Sequence, residues 1–299
     1  MNRPRTPLGW AVRIVVLYAV FVVLFIAGSM FVGGSIPVNV VSEPGLVSPG
    51  SGLPIIAAVD VAIIIALILS SRWSGWKLAV LLSAAYFGAV TLLTQIESWY
   101  FLASVKISPG LIQGLFLMGL PTAFLFIPFA VWFIGKTQGQ ESVQTPFDQA
   151  IPVRTWLWKI PALVVLYVIL YFVAGYFIAW QNPELRAFYG QPGEAQPFFS
   201  QMTLILQHDP LLALLQILRG LLWILCALPV VRGSTLSPLW TAVLLGLFLA
   251  VPQIVGLIIA NPLMPLASVR MSHLIETGSS NFVFGFSVAW MLDGRWRAG

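Results

Sequence analysis

Apolar residues run through this chain in eight long blocks, roughly 10–33, 54–71, 77–98, 110–135, 157–180, 210–231, 239–261 and 273–292, separated by short polar breaks. About 20 apolar residues are needed to cross roughly 30 Å of hydrocarbon. The pattern therefore predicts an all-α integral membrane protein of about eight transmembrane helices. The last block is the weakest, because its apolar part, FVFGFSVAWML, covers only 282–292. To cross at all it must recruit the polar residues before it. That places His273 and Glu276 at the membrane boundary or in a wet cavity rather than far out in a loop. The first block follows a basic start, MNRPR, as a signal peptide does, but it is too long and is followed by further blocks. It reads as an uncleaved first helix.

Composition agrees. Of 299 residues, 59% are hydrophobic and 8% charged, against ~45–50% and ~25% in soluble domains, and the mean hydropathy is +0.93. The net charge of +5 is spread singly at the ends of apolar blocks, which sets membrane orientation and gives no footprint for nucleic acid. With the N-terminus inside, eleven basic residues fall on the inner side and three (Lys106, Arg186 and Arg270) on the outer side, with Arg219 inside a block. Both termini are thus expected in the cytoplasm, and the expected location is a cell membrane, of the bacterial cytoplasmic type. Cys226 is the single cysteine, so no intrachain disulfide can form. Metal-type Cys/His spacing, a phosphate-cradling glycine motif and a nucleophile elbow are all missing. So are the paired-Glu motif and second histidine element of intramembrane glutamate-type proteases.

The two halves look related. LASVKIS (102–108) returns as LASVRMS (266–272), AVLL recurs at 79–82 and 242–245, and VVLY recurs at 15–18 and 164–167. The order and near-constant offsets of 149, 163 and 164 predict a tandem 4+4 duplication, with both copies oriented alike and the pseudo-axis along the membrane normal. The organisation expected is a first membrane half at 1–136, a polar cytoplasmic linker at 137–153 and a second membrane half at 154–299. Lys106 stands opposite Arg270, while Pro109 and Ile112 stand opposite His273 and Glu276. The His/Glu pair is therefore peculiar to the second copy.

Ionisable residues inside a span are costly, by at least ~2.5 kcal/mol each, and mark candidate sites. Asp60, two turns from the outer end of helix 2, and Arg219, in helix 6, are expected to pair across the halves. Glu97 ends helix 3 beside Trp99 and Tyr100. Arg270, His273 and Glu276, spaced three apart, share one face of a helix start. Asp60, Glu97, Arg219, Arg270, His273 and Glu276 are accordingly expected to line an outward-facing polar pocket that binds or passes a small polar or ionic solute. Alternatively, Glu97, His273 and Glu276 hold a divalent metal such as zinc, making a hydrolase or transferase that acts on a lipid headgroup or lipid-linked substrate at the outer leaflet. A structural or assembly subunit is the third reading. Pro121, Pro128, Pro229 and Pro252 are expected to kink their helices, and 181–209 to form a lid or re-entrant element.

Overall fold

The computed structural model describes residues 6–35, 41–102, 109–138 and 153–297. Arg3, Arg5, Lys106 with most of the first LASV copy, and 139–152 of the predicted linker lie outside them. Among the described residues the fold is all helical. The long helices are α1 (Pro7–Gly33), α2 (Pro49–Ser70), α3 (Gly75–Phe101), α4 (Gly110–Ile134) and α5 (Trp156–Ala179). After α5 come two short ones, α6 (Pro183–Phe188) and α7 (Phe198–His208). The chain is completed by α8 (Pro210–Gly233), α9 (Pro238–Ile258) and α10 (Ala267–Leu292).

Seven of these are long and apolar enough to cross a membrane. The eighth long helix, α10, has 26 residues, about 39 Å at 1.5 Å per residue. It has the length to span but is too polar in its first half to count on composition.

Local chemistry explains where the helices begin. Thr6–Pro7, Ser48–Pro49, Asn182–Pro183, Asp209–Pro210 and Ser237–Pro238 each place proline at the first helical position after a Thr, Ser, Asn or Asp. Proline's fixed φ and missing N–H cost nothing there. The Thr6, Ser48 and Asn182 side chains also accept from Gly9, Ser51 and Glu184 N–H groups, donors that the first turn leaves unpaired. At the other end of α4, Gly135 takes φ +85° and closes the helix in the left-handed conformation, as glycine does without steric cost.

Three stretches widen to π-helical turns: Phe87–Leu92 in α3, Pro121–Phe126 in α4 and Gly175–Ala179 at the end of α5. In α4 the turn starts at Pro121, one of the expected kink positions. In α3 the turn is stitched to α9 from outside. Gln253 donates to the Ala89 carbonyl and accepts from the Thr94 hydroxyl. Pro252 precedes that glutamine, and α9 tightens to a 3-10 turn at Val255–Ile258.

The packing has a regular plan. In the first half α1 packs on α2 and α4, and α3 on α4; in the second α5 packs on α8 and α10, and α9 on α10. The halves meet where α2 packs on α9 and α3 on α8. Near the start of α1, Arg13 donates to the Ile134 carbonyl at the end of α4, 2.7 Å away. Near the start of α5, Lys159 likewise donates to the Met291 carbonyl at the end of α10. The α2–α3 and α8–α9 turns touch: Arg72 N–H donates to the Gly233 carbonyl and Thr235 N–H to the Ser70 carbonyl, both at 2.7 Å. The two bonds exchange under the same 163-residue interval that separates 79–82 from 242–245.

Helix alternation gathers Arg13, Arg72, Lys77, Lys136, Lys159, Arg232 and Arg295 at one end of the bundle, here the basic end. Exposed tryptophans ring the same end at Trp76, Trp132, Trp158, Trp240 and Trp290. Such amphipathic rings collect at the headgroup level of a bilayer. Asp60 proves to lie at the middle of α2, eleven residues from Pro49, deeper than two turns, because the helix starts five residues before its predicted start.

Candidate functional site

Arg219 sits nine residues into α8 from the far end, roughly 14 Å down the helix, and its side chain is only 6% exposed. Its Nη2 donates to Glu97 Oε2 of α3 at 2.6 Å, and its Nη1 donates to Gln216 Oε1 one turn away at 2.8 Å. The guanidinium carbon lies 5.9 Å from both the Tyr167 and the Tyr171 ring centres, within cation–π reach. Tyr167 is itself held by Trp223, whose indole N–H donates to its hydroxyl at 3.3 Å. The cation is thus enclosed by a carboxylate, an amide and two phenols, which offsets the cost of taking it out of water.

The π turn in α3 precedes Glu97 and contributes to this meeting. One extra residue rotates the remainder of the helix, Glu97 included, by about 100° relative to a regular helix. The expected Asp60–Arg219 pair does not form. Asp60 instead accepts from the Tyr86 hydroxyl at 2.8 Å, within the first half. The ion pair that does join the halves is Glu97–Arg219, across the α3–α8 seam.

This pair forms one wall of a small cavity that opens to solvent. Tyr167, Leu170 and Tyr171 of α5 form a second wall, and Glu276, Thr277, Ser280 and Asn281 of α10 the third. Glu276 is 8% exposed. It lies nine residues into α10, so about 14 Å from that helix's start, level with Arg219.

Glu276 is held from the far end. Its Oε2 accepts from the Thr277 hydroxyl at 3.1 Å and faces His273 Nδ1 at 3.2 Å. His273 Nε2 meets the Tyr189 hydroxyl at 3.0 Å. Burial, then the Glu97 and Glu276 charges, pushes the Tyr189 phenol well above its ordinary pKa, so the phenol keeps its proton. A neutral imidazole fits both contacts, accepting from Tyr189 and donating to Glu276. Tyr189 belongs to the expected lid, and the segment does dock on α10. Asn182 donates to Ser272 Oγ at 3.0 Å, and Ser268 donates to Glu184.

Two predicted residues fall elsewhere. Asp60 is with Tyr86. Arg270 is fully buried and binds backbone: its Nη1 donates to the Met264 and Pro265 carbonyls at 2.7 and 2.9 Å, its Nη2 to Glu43 and Pro44, both at 2.8 Å. It ties the 41–47 loop to the start of α10 and lines no pocket. Arg270→Lys is expected to lose on the order of 3 kcal/mol, because one ammonium cannot serve four carbonyls as the planar fork does. Limited proteolysis at the 41–47 loop checks this; unchanged cleavage would remove the role.

The metal set does not assemble either. Glu97 is engaged by Arg219, and among the described residues no three His, Cys, Asp or Glu side chains are grouped to hold an ion.

No family model, curated protein or solved structure matches this chain. The site must be read from its own geometry. Glu97, Arg219 and Glu276 come together there with His273 behind them. Tyr167, Tyr171, Gln216 and Tyr189 escaped the sequence reading, although Tyr167/Tyr171 (i, i+4) and Gln216/Arg219 (i, i+3) are polar pairs on single helix faces.

Proposed function

We propose that the chain is a solute-binding, solute-passing protein of a bacterial cytoplasmic membrane. It has eight spans in two related halves, both termini are inside, and a small polar or ionic solute enters the α3/α5/α8/α10 pocket from outside. The observation that carries this is the convergence of Glu97, Arg219 and Glu276 on one cavity open to water, well below the helix ends. Polar groups at that depth are expensive, and they persist where they line a path or a site. Two related halves supply the means of passage, since rocking one against the other exposes a seam site alternately.

The duplication draws support from the packing plan. Exchanging α1–α4 with α5, α8, α9 and α10 in order maps each intra-half pair on its counterpart, and maps the α2–α9 seam on the α8–α3 seam. The reciprocal bonds around Ser71 and Ser234 lie where a two-fold axis would pass. The basic, tryptophan-ringed end faces the cytoplasm by the positive-inside rule.

A single-thiol variant tests pocket and orientation together. In Cys226→Ala, Ser280→Cys should react with a charged, membrane-impermeant thiosulfonate applied outside intact cells. Ser83→Cys, at a position 1% exposed, should not. A Ser280→Cys thiol that stays unreactive, or reacts only from the inside, rejects the outward pocket.

A further inference from the structure

We infer that the pocket's occupant is a small monovalent organic cation, a protonated amine, bound by Glu276 and Glu97 together; this rests on the pocket reading above. Arg219, the only cation among the lining residues, is already committed. Both Nη atoms have partners, Glu97 and Gln216, and the guanidinium lies against two phenol rings. Its remaining donor, Nε, is buried without a partner, so an incoming anion would meet the guanidinium only beside the Glu97 carboxylate.

The carboxylates are committed through one oxygen only. Arg219 takes Oε2 of Glu97, while Thr277 and His273 both take Oε2 of Glu276. Among the described residues nothing hydrogen-bonds Oε1 of either. Two acceptor oxygens on the same cavity are therefore left for a donor-bearing guest. Charge sets its valence. Glu97 and Arg219 neutralise each other, and with the neutral imidazole that fits the Tyr189 and Glu276 contacts, the Glu276 carboxylate is left for one positive charge to match. A hard metal cation would want six or more oxygen ligands. The Tyr167, Leu170 and Tyr171 wall supplies two rings and a leucine, which suits the short carbon skeleton of an amine.

The test uses the full-length protein in detergent and four salts at equal ionic strength: ethylammonium chloride, sodium chloride, sodium acetate and sodium phosphate. Ethylammonium should raise the melting temperature of the wild type, as a ligand of the folded state must. It should lose that effect in Glu276→Gln, whose pocket is neutral. It should also slow the labelling of Ser280→Cys, a readout that stands even where the glutamine variant folds poorly. Protection by acetate or phosphate, or equal protection by sodium, overturns the amine assignment while leaving the pocket intact. A Ser280→Cys thiol that labels but is protected by none of the four overturns it too. A thiol that never labels removes the pocket itself, and the two failures are distinct.

Discussion

Glu97→Gln is expected to cost about 3 kcal/mol of stability, and Arg219→Gln about 1 kcal/mol, although they remove partners of the same ion pair. The asymmetry comes from burial. Without Glu97 the Arg219 guanidinium, 6% exposed, keeps its charge inside the bundle with only Gln216 and two ring faces to compensate it. Without Arg219 the Glu97 side chain, 30% exposed, turns to the water of the pocket mouth. The double variant should lose clearly less than the sum of the single losses, since the stranded charge goes with its partner. Asp60→Asn combined with Arg219→Gln should be additive, because Asp60 bonds to Tyr86 in the other half. Unfolding of the purified protein by graded SDS measures all five variants. Equal single losses, or coupling between Asp60 and Arg219 in place of Glu97, would show that the seam is closed by some other contact.

The contrast between Asp60 and Glu97 shows what a sequence of this kind discloses. Span positions derive from a one-dimensional quantity, the run of apolar residues, and proline after Thr, Ser, Asn or Asp marks several starts within a few positions. Depth along a helix is legible only as well as its start is: Asp60 lies five residues deeper than expected because α2 begins at Pro49. Rotation about the helix axis is not legible. Arg219 and Asp60 lie within reach in depth, yet their faces point to different neighbours. The π turn in α3 then turns Glu97 by an amount that no apolar count reveals.

Arg270 shows a second limit. Its partners are backbone carbonyls of Glu43 and Pro44, more than 220 positions away, and carbonyls carry no sequence signature. A basic residue beside a His and a Glu looks like chemistry until the loop that it binds is seen. The His273–Glu276 contact, by contrast, is local, one turn of one helix, and the spacing alone is enough to place it.

Gly285→Val is expected to be the most damaging single change in the second half, at about 3 kcal/mol or more, near or above the top of the usual overpacking range. The reason lies in how a half-polar helix is kept in the bundle. α10 is held chiefly by α9, and at their crossing two glycines remove the side chains that would separate them. A Cβ on Gly285 would lie 2.9 Å from the Gly246 Cα and from the Leu245 carbonyl oxygen, and a Cβ on Gly246 would lie 2.9 Å from the Phe282 carbonyl oxygen. These obstacles are mostly backbone, which cannot step aside as a side chain can. Close approach through small residues is the main way helices associate where lipid removes any hydrophobic drive between them. Valine should therefore push α10 away from α9 and carry Glu276, Thr277, Ser280 and Asn281 with it. Stability and ethylammonium protection should then fall together. Gly175→Ala is the control, since nothing lies within 4 Å of its added carbon, and it should be neutral in both measurements. If Gly285→Val kept wild-type SDS resistance, contact with α5 and α8 would have to be what holds α10, and the pocket would owe its third wall to those helices.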